Sequence, residues 1–240
     1  MSCKGIALVT GAAQGIGRAI ALRLADDGFD VAVNDIAVSA ELQSLVEEIQ
    51  QRGRASSIHA ADVSQDAQVR EMIEAVVQNH GGLDVMVANA GVVGPSGMVI
   101  ADVTVEEWDR VMNINARGTF LSYKYAGLQM VKQGRGGRII GASSLTGKQG
   151  HNTQVPYSAS KFAVRGLTQA AGITVNAYAP GVIETPMLFG LLPGPEMRDG
   201  LKAQIPLKTF GVPTDIADFV SFIASKESKF ITGQTISING

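Results

Sequence analysis

The chain has 240 residues, 45% hydrophobic and 18% charged, and its 20 Lys+Arg against 22 Asp+Glu leave a formal net charge of −2. That apolar content supports a large core and excludes a disordered chain, while the near-neutral balance offers no cationic field to hold a nucleic-acid backbone or an anionic membrane surface. Cys3 is the one cysteine, which excludes an intrachain disulfide and a cysteine-rich zinc site and fits a reducing compartment.

The first apolar run, Ile6 to Val9, is too short for a signal-peptide core, and no run is long enough to span a bilayer, so a cytoplasmic protein is expected. Further short apolar runs lie at Val31 to Val33, Ile58 to Ala61, Val85 to Ala88, Arg138 to Ala142, Ile173 to Ala177 and Thr235 to Ile238. Most alternate with stretches of helical period, which predicts an α/β fold with a parallel sheet covered on both faces. Thr104 and Glu107 form a capping-box pattern, Ser64 and Thr214 are candidate N-caps, and Gly28 and Gly53 stand where helices should stop. The stretch from Gly190 to Gly200, rich in Gly and Pro, reads as a mobile loop within the domain.

After the first strand comes Thr10-Gly11-Ala12-Ala13-Gln14-Gly15-Ile16-Gly17, opening a helix. Glycines in such a turn let a diphosphate approach main-chain N–H groups at a helix N-terminus, the pattern of a dinucleotide site. Asp35 ends the second strand about 20 residues past Gly15, where a carboxylate can accept from adenosine ribose hydroxyls. The same charge would repel an extra ribose phosphate. With Ile36 following Asp35, and no Arg or Lys in the glycine turn before Gly17, NAD is the expected cofactor.

Tyr157-Ser158-Ala159-Ser160-Lys161 puts Tyr157 and Lys161 on one helix face, where an ammonium would favour the phenolate and make the tyrosine a usable acid/base. Ser143 and Ser144 end the fifth strand, at the sheet edge where ligands bind in open α/β folds. Asn113-Ile114-Asn115-Ala116-Arg117-Gly118 is expected to begin the helix after Trp108. His59, His80 and His151 have no metal-ligand spacing, so no metal is expected. Trp108, Tyr123 and Tyr125 read as helix-face packing, and Met187 to Leu192 as an apolar lid.

On these landmarks, together with Asp62-Val63, Asn89-Ala90-Gly91, Pro180-Gly181 and Thr185 in the same order, the chain resembles the short-chain dehydrogenase/reductase family over nearly its whole length. The resemblance implies a single doubly wound Rossmann domain over residues 1–240, with about seven parallel strands, a cofactor half to about residue 140 and a catalytic half beyond it. It implies Tyr157 as general acid/base, Lys161 on the nicotinamide ribose, Ser144 on the substrate oxygen and Asn115 holding a relay water. For the cofactor it implies Gly11, Gln14, Gly15, Ile16 and Gly17 at the diphosphate, and Asp35 with Ile36 beside the adenosine ribose. Asp62 and Val63 would meet the adenine, Asn89 to Gly91 would floor the ribose, and Pro180, Gly181, Val182 and Thr185 would hold the nicotinamide amide.

Gln149, His151 and Met187 are expected to line the substrate pocket with Ser144 and Tyr157. The chain resembles, within the family, NAD-dependent acetoin and butanediol dehydrogenases and secondary-alcohol dehydrogenases, which implies a secondary alcohol or ketone substrate and a homodimer or homotetramer. A 3-oxoacyl-type reductase and a non-catalytic dinucleotide sensor are the alternatives. The sequence departs from the family after Ala171, where Gly172 follows at once and about two turns of helix are wanting. A break is expected there, with a Cα separation beyond about 3.8 Å, and family members continue past the position of Gly240.

Overall fold

The computed structural model describes residues 3–94, 97–170, 174–192 and 194–240. In chain order it runs β1 (Ile6–Thr10), α1 (Gly15–Asp26), β2 (Asp30–Asp35), α2 (Ala40–Gln51), β3 (Ser56–Ala60), α3 (Asp66–His80) and β4 (Val85–Ala88). Then follow α4 (Val105–Met112), α5 (Gly118–Gln133), β5 (Arg138–Ala142), α6 (Val155–Ala170) and β6 (Val175–Pro180). The chain ends through α7 (Pro186–Leu191), α8 (Pro195–Lys202), α9 (Pro213–Ala224) and β7 (Thr235–Ile238). The strands form one parallel sheet in the order β3-β2-β1-β4-β5-β6-β7.

Central strands are predominantly apolar because both faces are covered. Along β1, Ala7 and Val9 join Ile20, Leu24, Leu42, Ile216 and Val220 from α1, α2 and α9. Ile6 and Leu8 face the other way, onto Met72, Val76, Leu121 and Met130 of α3 and α5. The strand order reverses between β1 and β4, which opens a crevice at their C-terminal ends and puts Gly11 and Asn89 on its two sides.

Several expectations are corrected. The segment from Gly190 to Gly200 carries the end of α7 and most of α8, each with Pro at its first turn. Proline pre-sets the helical φ and has no N–H to leave orphaned, and that outweighs the local glycines. Ser64 and Thr214 are not N-caps. Gln65 and Val212 hold those positions, and Asp215 Oδ2 accepts from the Val212 N–H at 2.8 Å. Thr104 does cap α4, accepting from the Glu107 N–H at 3.2 Å. The Glu107 carboxylate pairs with Arg110. Asn113–Arg117 does not begin a helix: it is a widened π-type turn inside one continuous run from α4 into α5. The third strand starts at Ser56 and ends at Ala60. Ile173 and the junction between Ala171 and Gly172 lie outside the described residues.

Candidate active site

The glycine turn is shaped by close approach. Gly11 and Gly15 have φ of +61° and +56°, the left-handed region that glycine enters without strain. A Cβ on Gly17 would overlap the Gly11 carbonyl oxygen and come within 2.5 Å of Asn89 Nδ2. Asn89 therefore seats directly on the turn, donating to the carbonyls of Thr10 at 2.8 Å and Gly11 at 3.0 Å. The Thr10 hydroxyl accepts from the N–H groups of Asn89 and Ala90 at 3.0 and 3.1 Å.

Asp35 closes the same turn from β2, with Oδ2 accepting from the Ala13 N–H at 3.1 Å and Oδ1 from the Ile36 N–H at 2.9 Å. Asp62 Oδ1 accepts from the Ser64 N–H, and Val63 packs beneath Gly118, where a side chain would meet it. Across the crevice, the Gly181 N–H donates to Ile238 and leaves no room for a Cβ against Asn239. Thr185 caps α7 and stands beside Gly15, where a Cβ would lie 3.4 Å from its methyl. Gln14 and Ile16 flank that same turn, and Pro180 and Val182 flank Gly181 at the end of β6.

Tyr157 and Lys161 lie one turn apart on α6, with the Lys161 Nζ 5.4 Å from the Tyr157 ring centroid. Lys161 is 4% exposed and donates to the Ala142 carbonyl at 2.8 Å. Burial brings its pKa down to about 8. The Tyr157 phenol is pushed up from its ordinary value by burial, opposed by its hydrogen bond with Ser144. In the protein alone, therefore, desolvation prevails over any stabilisation of the phenolate by the ammonium.

Ser143 and Ser144 divide their duties. Ser143 is buried and donates to the Lys161 carbonyl at 3.0 Å, fixing α6 to the end of β5. Ser144 is half-buried and, as the cap of a short turn, accepts from the Thr146 N–H at 3.2 Å. Asn115, fully buried in the widened turn, accepts at Oδ1 from the Val92 N–H at 2.8 Å and donates to the Val92 carbonyl at 2.8 Å and Ser160 Oγ at 3.0 Å. Only the second lone pair of Oδ1 is left for a water. A side chain at Gly91 would come within 3.1 Å of that oxygen and 3.3 Å of Lys161 Nζ, so glycine keeps the floor of the site open.

Of the expected substrate residues, Gln149 and His151 are exposed, and the His151 ring meets Thr153 Oγ1 at 3.0 Å. Met187 is also exposed, while Leu188 is buried with Ile205 and Phe210 in a small separate cluster. Tyr123 and Tyr125 are structural, bonded to Thr168 and Asp66. His59 and His80 both contact Ser57 Oγ, at 2.8 and 2.7 Å. Sequence reasoning gave no role to the Thr10 hydroxyl or to Tyr178. A hydroxyl directly before a glycine turn was a signal for the first, whereas the second depends on packing across the sheet.

A switch-point crevice edged by a glycine turn, with a Tyr, Lys and Ser convergent beside it, defines a dinucleotide-dependent oxidoreductase. Comparison with known proteins agrees. A family model described as enoyl-(acyl carrier protein) reductase matches residues 11–240. The chain is 50% identical to the short-chain dehydrogenase/reductase eriH of Hericium erinaceus, with 100% of this chain and 98% of that protein covered. That alignment spans 250 positions, so the relative has residues without a counterpart here. Identity is 43% to the 3-oxoacyl-(acyl-carrier-protein) reductase FabG of Staphylococcus epidermidis, with 98% and 97% covered. Among solved structures, levodione reductase superposes with a TM-score of 0.93 at 30% identity, over 100% of this chain and 98% of that one.

The chain belongs to the short-chain dehydrogenase/reductase family, oxidoreductases that use a nicotinamide dinucleotide. Among the described residues, no helix is long and apolar enough to cross a membrane.

Proposed function

We propose that the protein is an NAD-dependent dehydrogenase/reductase that interconverts a secondary alcohol and its ketone, with Tyr157 as general acid/base. The observation that carries this reading is the convergence of Tyr157, Ser144 and buried Lys161 at the edge of a crevice whose opposite wall is the glycine turn. The residues fit the cofactor. Gly11 and Gly15 give the turn its left-handed backbone, and Asp35 has lone pairs left for ribose hydroxyls after serving the Ala13 and Ile36 N–H groups. When bound, the nicotinamide supplies the hydride chemistry.

The chain's own residues do the rest. Ser144 donates its hydroxyl proton toward the substrate oxygen and Tyr157 moves the proton to or from that oxygen. One Lys161 proton is committed to Ala142, which leaves two donors for a ribose hydroxyl and for the side of the ring facing Tyr157. A relay water, if used, sits on the free Oδ1 lone pair of Asn115. The Asp35 carboxylate disfavours the added phosphate of NADP. Gln149, His151 and Met187 border the substrate, under a lid formed by α7. The exposed apolar side chains of α5 and α6, Phe120, Leu128, Val131 and Phe162, support assembly into a homodimer or homotetramer.

A 3-oxoacyl-type reductase is the second reading, favoured by the FabG relatives. The test is a panel of secondary alcohols, small ketones and 3-oxoacyl thioesters with NAD(H) and NADP(H), read at the absorbance of the reduced nicotinamide. Turnover of the alcohols and ketones with NAD supports the first reading. Turnover confined to the thioesters supports the second, and turnover confined to NADP removes the cofactor assignment.

A further inference from the structure

Tyr178 lies on β6, on the sheet face covered by α1 and α9, and is 1% exposed among Val9, Val87, Ile140 and Ile216. Its hydroxyl donates to Asn89 Oδ1 at 2.8 Å, across the intervening strand β5. The surrounding side chains are apolar, and burial holds the phenol far above its ordinary pKa, so it stays a donor. A donor on Oδ1 fixes which way the Asn89 amide points, because an amide carries its acceptor and its two donors at opposite ends.

With Oδ1 held, both Nδ2 protons face the carbonyls of Thr10 and Gly11. The peptide planes of the turn are thereby set. The Ala12 N–H lies on the Asn34 carbonyl at 2.9 Å, and the Ala13 N–H on Asp35 Oδ2 at 3.1 Å. The Tyr178 carbonyl meanwhile accepts from the Ser143 N–H at 2.8 Å, beside Ser144.

We infer that Tyr178 is a positioning residue for cofactor binding: through the Asn89 amide, it holds the glycine turn and the Asp35 carboxylate in the shape that receives the dinucleotide. It touches neither cofactor nor substrate and acts from the opposite half of the domain. The inference rests on the reading of the glycine turn as the diphosphate site. Its physical basis is the cost of an orphaned acceptor. Without the phenol donor, Oδ1 loses its partner, and turning the amide over would set that oxygen against two carbonyls.

The test is Tyr178→Phe, which keeps the ring and the packing. Cofactor Kd should rise about three- to tenfold, the factor supplied by one hydrogen bond of ordinary net strength. At saturating cofactor, kcat should stay within about twofold, so the loss falls on cofactor KM. In an Asn89→Ala background, Tyr178→Phe should add nothing, because the two residues act as one unit.

An unchanged Kd in folded Tyr178→Phe overturns the inference, and so does an equal loss in both backgrounds, which would mark a packing effect. If Tyr178→Phe fails to fold by circular dichroism, Asn89→Ser carries the test: weakened cofactor binding is expected, and parental affinity overturns it. A parent protein that binds neither NAD nor NADP removes the reading of the turn and this inference with it. A parent that binds while Tyr178→Phe binds equally well removes the inference alone.

Discussion

The two walls of the crevice are built differently. At the glycine turn, Thr10, Asn89 and Tyr178 are joined by hydrogen bonds of 2.8–3.1 Å, and Gly17 admits no Cβ. On the other wall, α7 and α8 rest on the three-residue cluster Leu188, Ile205 and Phe210, with Arg198 and Lys202 lying over Phe189 and Phe210. Gly190 and Gly200 there have open space around them. The glycine-turn wall is fixed by the sheet, while α7 and α8 rest on a small cluster of their own and meet the turn through Thr185, beside Gly15. So small a cluster leaves the conformational freedom that a lid needs.

The sharpest way to break the comparison is a methyl group on each wall. Gly17→Ala forces the turn open against the Gly11 carbonyl and Asn89, and should weaken cofactor binding by about a hundredfold and lower Tm. Gly200→Ala, in the interior of α8, should leave cofactor affinity unchanged and stabilise the protein by about 0.5–1 kcal/mol. Equal losses of affinity in the two variants, measured by titration calorimetry, would erase the distinction.

A second contrast lies within the serine pair. Ser144→Ala should remove about 2.7–4 kcal/mol of transition-state stabilisation, seen in kcat, the range for one lost oxyanion donor. Ser143→Ala should instead cost about 1 kcal/mol of stability through its lost bond to Lys161, seen in Tm and denaturant midpoint. The reverse assignment would follow if kcat fell more in Ser143→Ala.

Next in size is cofactor choice. Asp35→Ser should reduce the NAD over NADP ratio of kcat/KM by about tenfold, the scale of one removed charge repulsion near the surface. A parent protein that already prefers NADP contradicts the charge argument.

The smallest effect concerns pH. Burial brings the Lys161 pKa down to about 8 in the folded protein, below the ordinary lysine value of 10.5. Between those values the unfolded chain binds more protons, so this residue makes stability rise with pH across that window. Chemical denaturation of the cofactor-free parent and of Lys161→Met at several pH values isolates it. The parent should gain stability relative to the variant from pH 8 toward 10.5, and parallel profiles would show no perturbed lysine.

The fixed wall was also the legible one. Gly11, Gly15, Gly17, Asp35 and the Tyr157/Lys161 pair could be read from spacing, because each is tied to a strand end or to a single helix face. The widened turn around Asn115 was missed because its cause is tertiary: Val92 and Ser160 draw the amide inward, which no local propensity records. Most of α8 was read as a loop because the glycines between Gly190 and Gly200 were weighed above Pro195 at a helix start. Tyr178 was invisible for a further reason, since its partner lies 89 residues away in sequence and across another strand.

The central claim, that the cofactor is held by the turn while proton transfer belongs to Tyr157, is tested most directly by Tyr157→Phe. Reduced cofactor binding and single-turnover hydride transfer are measured on the same sample. The account predicts parental cofactor affinity with hydride transfer slowed by about 10²–10⁴-fold, the scale of a lost general acid/base. Hydride transfer within about tenfold of the parent, or loss of cofactor binding in step with activity, would contradict it.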